Sequence, residues 1–336
     1  MGNFFPTYSI HDIIGAVFNT TDSCDQSHLF AGTHEVQECL ECHCEADLHT
    51  QLASCLKNPG HLGFVPIKAL TTDALPASSH PEVYDLIKAL GDITVRIAVP
   101  FTSLDRPEFL PGTKDPYPSY NTRGQNSLRT GTGRVWRLNK FTEGMDDYRT
   151  CPCPECEHSD TPSKEWWNVV IATSTHVVFD PSEALKCRCR LWFDEDTSPV
   201  VNVYGWGEGF FDIDSDWCLV FCATHDLFIG DKMQKMVERF DGLCVDVMDT
   251  CRGDKDVDKL TIIVSHPHGC AKQVSIGHWV DRNDEDSRWT RYTYTTSTCP
   301  GSSGALVYRL GCNWLSNHRH CGYNSKGLNY SGVNVD

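Results

Sequence analysis

A succession of short β-forming segments constrains the fold of this 336-residue chain more than any other feature. The runs begin with ITVRIAV at 93–99 and GTGRVWRLNKF at 131–141, continue through WWNVVIATSTHVVF at 166–179, and end with WTRYTYTT at 289–296. Gly, Asp and Pro residues divide the runs, as is typical of turns. Many short strands with little helix between them predict an all-β, antiparallel barrel or sandwich.

Two helices are predicted outside this pattern. PEVYDLIKAL at 81–90 has apolar residues on one face of a helix, with Pro81 at its start and Gly91 as a plausible stop. DKMQKMVERF at 231–240 lies near the middle of the strand-rich region. We expect this second helix to join two β-halves.

Composition and charge exclude several classes of protein. Apolar residues make up 40% and charged residues 22% of the chain, as in globular domains. The net charge of -16 repels phosphate backbones and argues against nucleic acid as a partner. The sequence has neither an apolar run long enough for a transmembrane helix nor a convincing secretory signal at its start. These patterns predict a cytoplasmic protein without a membrane partner.

The segment TCPGSSGALV at 298–307 has the composition of a nucleophile turn. A reactive serine needs a tight turn, which Gly301 and Gly304 permit, and an apolar strand follows it. The backbone N–H groups of Gly301 and Ser303 would then face the oxyanion of a tetrahedral intermediate. This pattern makes Ser303 the candidate nucleophile.

A candidate base and a candidate acid precede Ser303. His176 follows an apolar strand and a stretch of small and hydroxyl residues, and Asp216 leads directly into the apolar run WCLVF. The alternatives are two nearby aspartates and three other histidines, Asp212, Asp214, His225, His266 and His268.

Together these segments resemble the chymotrypsin-like serine proteases, with similarity to HtrA-type domains in GTGRVW at 131–136 and SHPHG at 265–269. The order His, Asp, Ser is the order of that family, and the spacings of about 40 and about 87 residues are close to the family's roughly 45 and 93. The resemblance implies two six-stranded antiparallel β-barrels with the catalytic triad between them. We therefore predict a Cys/His-rich N-terminal region at 1–80 and a protease domain at 81–336, with its barrels at about 93–230 and 240–336.

The same resemblance implies a role for each residue. Ser303 would attack the scissile carbonyl, His176 would act as general base and acid, and Asp216 would orient the imidazole. Ser302 replaces the family's zymogen aspartate, which argues against activation by a new N-terminus. Ser297, at the specificity-pocket position, disfavours cleavage after Arg or Lys and leaves an apolar or aromatic residue before the scissile bond as the expectation.

The chain has 18 cysteines. In a reducing compartment, their close spacing suggests structural zinc, which prefers thiolate and imidazole ligands. At most four residues of one set would bind the ion: Cys151, Cys153, Cys156, His158, Cys187 and Cys189. A disulfide and free thiols are the alternatives. No ligands are assigned among the N-terminal cysteines.

The sequence thus predicts a serine endopeptidase that hydrolyses polypeptides through an acyl-enzyme and needs no cofactor for catalysis. Two alternatives stay open. One is a protease-like fold that has lost activity and serves as a binding or scaffold module. The other is a metal-dependent hydrolase, which closed Cys-rich sites disfavour because they leave no coordination position for water.

Overall fold

The computed structural model describes residues 32–39, 46–76, 79–145, 149–253, 259–284, 289–312 and 318–335. Its strands are β1 (Gly32–His34), β2 (Gln37–Cys39), β3 (Val65–Pro66), β4 (Thr94–Val99), β5 (Leu128–Phe141), β6 (Trp166–Thr173), β7 (Arg188–Leu191), β8 (Val201–Asp212), β9 (Trp217–Thr224), β10 (Leu260–Ser265), β11 (Gln273–Asp284), β12 (Trp289–Tyr294), β13 (Val307–Arg309), β14 (His320–Asn324), β15 (Asn329–Ser331) and β16 (Asn334–Val335). Its α-helices are α1 (Ala46–Ala53), α2 (Pro81–Ile93), α3 (Pro154–Glu157), α4 (Pro181–Lys186) and α5 (Leu227–Cys251).

Strands β4 to β9 form a closed antiparallel barrel in the order β5-β4-β7-β8-β9-β6, because β6 pairs with β5 as well as with β9. All eight residues of β6 and all eight of β9 are buried. The continuous apolar runs seen in the sequence therefore belong to strands that are covered on both faces.

Strands β10 to β15 form the second β-half in the order β14-β15-β12-β11-β10-β13. A single bridge between Leu306 and Arg319 joins the two ends of this order. The predicted all-β class with two antiparallel β-halves is confirmed.

Helix α5 connects the two halves, as predicted, but it is much longer than the segment 231–240. Asp226 caps its first turn by accepting a hydrogen bond from the backbone N–H of Ile229 at 3.0 Å. Its buried side chains recur every three or four residues: Met233, Val237, Phe240, Cys244, Val247 and Cys251. The predicted helix at 81–90 is present as α2 and continues through Gly91 to Ile93.

Two short strands from the N-terminal region lie across the gap between the halves. Strand β1 pairs with β14 of the second half, and β2 pairs with β5 of the first. Residues 32–39, which we call the cleft segment, therefore contact both barrels. No helix in the described part of the chain is long and apolar enough to span a membrane.

Candidate active site

His176 and Asp216 meet in the first barrel. His176 lies in the turn that follows β6, and Asp216 lies in the turn before β9, with a left-handed φ of 53°. His176 Nδ1–H donates to Asp216 Oδ2 at 2.7 Å, and the backbone N–H of His176 donates to Oδ1 at 2.9 Å. Thr175 and Cys321 donate to the same carboxylate at 2.8 Å and 3.0 Å.

These contacts favour the ionised form of Asp216. Burial alone would raise the pKa of Asp216, but the adjacent His176 imidazole outweighs it and holds the pKa well below its usual range. The ionised Asp216 accepts the hydrogen bond from Nδ1–H of His176, and the other ring nitrogen is Nε2. Nε2 is buried and has no hydrogen-bond partner among the described residues.

A buried ion-pair network anchors the turn that contains His176. Glu183 in α4 accepts two hydrogen bonds from Arg106, at 2.7 Å and 2.8 Å, and one from Arg129 at 2.5 Å. The two guanidinium groups also donate to the backbone carbonyls of His176 at 3.2 Å and Val177 at 2.9 Å. The network thereby fixes the backbone on which the imidazole is mounted.

Ser303 lies in a tight turn between β12 and β13 that packs closely on β5. Gly301 and Gly304 have left-handed φ values of 95° and 86°. A Cβ atom at Gly304 would lie 2.0 Å from Thr173 Oγ1, so the approach of the two chains requires glycine there. Thr132, between the glycines of the GTG motif, donates from its Oγ1 to the Gly301 carbonyl at 2.8 Å. The turn is thus held against the barrel that contains His176.

The backbone amides of Gly301 and Ser303 differ from those of Ser302 and Gly304, which donate to the Cys299 and His320 carbonyls at 2.8 Å and 2.9 Å. The Pro300 carbonyl accepts a hydrogen bond from the His268 backbone N–H at 2.5 Å, and a trans peptide places the Gly301 N–H on the opposite side. Neither Gly301 N–H nor Ser303 N–H donates to any residue that the structure describes. Both groups are available to bind a developing oxyanion.

The hydroxyl of Ser303 contacts the cleft segment. Ser303 Oγ donates to the backbone carbonyl of Glu35, and Glu35 N–H donates to the Cys321 carbonyl at 2.8 Å. The ring of His34 lies edge-on to His176 with centroids 4.9 Å apart. An extended peptide from this same chain therefore fills the groove in front of the candidate triad.

The side chain of Glu35 enters a polar pocket beside Ser303. His320 Nε2–H donates to its carboxylate at 2.6 Å, Lys57 Nζ at 2.6 Å and Thr298 Oγ1 at 3.1 Å. Burial raises the pKa of Glu35, but the hydrogen bond from His320 and the charge of Lys57 outweigh it and lower the pKa to about 2. Glu35 is therefore bound as a carboxylate, with 3% of its surface exposed.

Two antiparallel barrels with a cleft between them define the architecture. The consecutive residues His34 and Glu35 contact His176 and Ser303 in that cleft. The chain has the chymotrypsin-like fold. Solved structures similar to it include Deg5 (11% identity over 78% of this chain and 90% of that one, TM-score 0.38) and the active form of the Rv3671c protease from M. tuberculosis (11%, 79% and 87%, 0.37). The HtrA-type protease AlgW with a tripeptide is another (9%, 75% and 60%, 0.37).

The sequence comparisons give no further assignment. No family model matches the chain, and no curated protein matches it. At identities of 9–11% and TM-scores of 0.37–0.38, these likenesses assign no activity to the chain.

The alternative acids and bases lie elsewhere. Asp212 accepts from Ser215 Oγ at 2.5 Å and from the backbone N–H of Asp214 at 3.1 Å. His266 is buried, with its Nδ1 2.9 Å from the Cys270 carbonyl and its ring stacked on Phe193. Neither Asp212 nor His266 contacts Ser303 or His176.

Ser297, the predicted specificity residue, packs against the N-terminal region. Its hydroxyl faces Gly63, where a Cβ atom would lie 2.2 Å from it, and its carbonyl accepts from Ser275 Oγ at 2.7 Å. The neighbouring residue Thr298 is the one that contacts Glu35. The side chains around the Glu35 carboxylate are polar and basic. The preference for an apolar or aromatic residue before the scissile bond stays a prediction.

Three of the six predicted metal ligands lie close together. His225, which the sequence does not predict as a ligand, joins them. Cys151, Cys153, Cys156 and His225 place their ligand atoms within 4.8 Å of one another. His158 is exposed and does not join this group. His225 takes its place because β9 ends beside the loop that contains Cys151, Cys153 and Cys156. The separation of these residues in the sequence did not reveal this contact.

Cys187 and Cys189, which the sequence groups with that set, lie outside this cluster. Their sulfur atoms lie 3.7 Å apart, and Cys189 lies 3.9 Å from Cys222. Both side chains are buried in the main hydrophobic core. Strand β7 pairs with β4 and β8 rather than with the cysteine loop, so these residues pack inside the barrel.

Proposed function

We propose that this protein is a serine endopeptidase with Ser303 as nucleophile, His176 as general base and acid, and Asp216 as the group that orients the imidazole. The observations that support the proposal are the 2.7 Å His176–Asp216 hydrogen bond and the contact of the Ser303 hydroxyl with a peptide carbonyl. The fold supplies a groove that accepts an extended polypeptide there. A polypeptide substrate follows from this geometry.

In the proposed reaction the Ser303 hydroxyl, which donates to the Glu35 carbonyl in the structure, gives its proton to His176 instead. Ser303 Oγ attacks the carbonyl carbon while its proton passes to Nε2 of His176, whose lone pair is free of other partners in the described structure. The N–H groups of Gly301 and Ser303 stabilise the oxyanion, and each such donor contributes roughly 2.7–4 kcal/mol to transition-state binding. His176 then protonates the leaving amine, and water hydrolyses the acyl-enzyme.

Digestion of denatured proteins tests the proposal. The Glu35→Lys variant places a cation against Lys57 and His320 and so displaces the cleft segment. We expect this variant to generate new amino termini, detected by mass spectrometry, and the Glu35→Lys, Ser303→Ala double variant to generate none. If both folded proteins generate the same number of new amino termini, or neither generates any, the result would instead favour a fold that serves only for binding.

We also propose that Cys151, Cys153, Cys156 and His225 bind a structural zinc ion. His225 Nδ1 lies 3.2 Å and 3.4 Å from the sulfurs of Cys153 and Cys156, and its Nε2 lies 3.5 Å from a carboxylate oxygen of Glu155. Zinc-binding histidines commonly donate their second N–H to a carboxylate in this way. Such a closed site would brace the loop before β6, the strand that leads to His176.

Replacing Cys153 by Ser is expected to remove about one zinc ion per chain, because a structural site needs all four ligands. Elemental analysis of protein purified without chelators measures this. Cys218→Ala is the control, since Cys218 is buried but lies outside this ligand cluster. Unchanged zinc content in Cys153→Ser, or a disulfide among these cysteines in the parent, contradicts the site.

A further inference from the structure

The cleft segment is placed as a substrate would be. Strand β1 runs antiparallel to β14, with Thr33 opposite Tyr323 and His34 opposite Gly322. A Cβ atom at position 322 would lie 1.9 Å from the Thr33 carbonyl oxygen, so glycine there permits the close approach of the two backbones. Extended peptides are generally recognised by such addition to the edge of a sheet.

The residues after Glu35 are also fixed, by contacts with the first barrel. Gln37 and Glu38 pair with Thr130 and Arg129 on β5, in the other barrel. The Glu38 carboxylate accepts from three hydroxyls, those of Ser119 (3.1 Å), Thr122 (2.8 Å) and Ser127 (2.8 Å). The bond between Glu35 and Val36 is therefore anchored on both sides and crosses the cleft at Ser303.

The pocket that receives Glu35 is complementary to a carboxylate. Lys57 and His320 contact different oxygens of it, and Lys57 is itself oriented by Asn329 at 2.8 Å and Thr298 at 3.0 Å. On the far side of His320, Nδ1 lies 2.7 Å from the hydroxyl of Tyr294. A neutral side chain in this position would leave buried donors without an acceptor, which disfavours it.

We infer, building on the proposed function, that the protein cleaves its own chain between Glu35 and Val36 and that the pocket around Glu35 selects acidic residues before the scissile bond. Ser303 Oγ bonds to the Glu35 carbonyl carbon, and the C–N bond to Val36 breaks. The serine proton passes through His176 to the new amino group of Val36. Water then adds to the Glu35 ester, returns a proton to Ser303, and leaves a free carboxyl group on Glu35.

Intact-mass spectrometry of the full chain tests this inference. We expect the parent protein to yield a new amino terminus at Val36, the Ser303→Ala variant to stay intact, and Glu35→Gln to be cut about 10- to 100-fold more slowly. Cleavage within one chain should be first-order, with a rate that does not change on dilution. An uncut Glu35–Val36 bond, or equal cleavage rates for the parent and the Glu35→Gln variant, overturns the inference.

The substrate preference is measured on paired peptides that differ only by Glu or Gln before the scissile bond. The cleaved protein is expected to prefer Glu by at least about tenfold in kcat/KM, and Lys57→Gln to lose most of that preference. Lys68→Gln, at an exposed position outside the pocket, is the matched control. If Glu35→Lys digests proteins with no acidic preference while the parent stays uncut, this inference fails and the proposed function stands.

A second cluster of metal ligands lies behind the nucleophile turn. Cys55, His61, His268 and Cys299 place their ligand atoms within 4.8 Å of one another. The sulfur of Cys299 lies 3.6 Å from that of Cys55 and 3.5 Å from His61 Nε2. His268 Nδ1–H donates to Gln37 at 2.9 Å, and its buried Nε2 has no hydrogen-bond partner in the described structure.

From this independent geometry we propose a second structural zinc site of two thiolates and two imidazoles. Two ligands come from the N-terminal region and two from loops of the second barrel. Because Lys57 lies between Cys55 and His61 in the sequence, the ion would hold it beside the pocket. Cys55→Ser is expected to lose about one zinc ion per chain that Cys153→Ser retains. A Cys55–Cys299 disulfide in the purified protein, or zinc content unchanged by Cys55→Ser, overturns this site.

Discussion

Replacing Asp216 by Asn is expected to lower kcat/KM for peptide hydrolysis about 10⁴-fold, the size of effect known for this exchange in other Ser-His-Asp enzymes. The amide can accept through one atom only, and an N–H facing Nδ1 of His176 would move the imidazole proton to Nε2. His176 would then be unable to take the Ser303 proton. Because the exchange would also block self-cleavage, the rates are compared in the Glu35→Lys background.

Asp212→Asn is the control for that measurement. Asp212 is the neighbouring carboxylate that the sequence left as an alternative, and it hydrogen-bonds to Ser215 and Asp214 instead of His176. We expect its replacement to change kcat/KM by less than about threefold, consistent with a surface role. If Asp212→Asn loses activity and folded Asp216→Asn retains it, then Asp212 and not Asp216 orients His176.

Replacing Glu183 by Ala is expected to lower the free energy of unfolding by about 3–5 kcal/mol, because removing one partner of a buried ion pair leaves uncompensated charge. Glu183, Arg106 and Arg129 are 0–1% exposed at their side chains. Urea unfolding followed by tryptophan fluorescence measures the change. Asp85→Ala, which breaks an exposed 3.5 Å pair with Arg239, should cost less than about 1 kcal/mol.

The same network predicts how the free energy of unfolding changes with pH. Burial raises the pKa of Glu183, but Arg129 and Arg106 outweigh it and lower the pKa below its ordinary value of 4.5. A carboxyl group with a lowered pKa stabilises the fold fully above its unfolded pKa and loses that contribution as the pH falls. The stability difference between parent and Glu183→Ala should therefore shrink below about pH 4.5; a difference that grows in acid would contradict the ion-pair account.

The strand-rich fold and the pairing of His176 with Asp216 could be predicted from the sequence, while the catalytic role of Ser303 stays a prediction. Each of His176, Asp216 and Ser303 is bounded by apolar strand residues and by small or turn-forming residues, a pattern that local chemistry imposes. The strands β6 and β9 are buried on both faces and so appear as continuous apolar runs. Local constraints of this kind can be recognised without knowledge of tertiary contacts.

The partners of Glu35 and the fourth ligand of the cysteine cluster depend on long-range contacts, so the sequence did not reveal them. Glu35 and His320 are 285 positions apart, and His225 is 69 from Cys156. The sequence around Glu35 contains no motif that would indicate a segment bound in the cleft. Only the pairing of β1 with β14 and of β2 with β5 brings it to Ser303.

Covalent labelling tests the central claim most directly. The Glu35→Lys variant is incubated with a fluorophosphonate, and the adduct is mapped by peptide mass spectrometry. The proposed chemistry predicts one adduct, on the Ser303 hydroxyl, and almost none when His176 is replaced by Ala. An unlabelled Ser303 in folded protein, or labelling that does not depend on His176, would contradict the assignment of a serine protease.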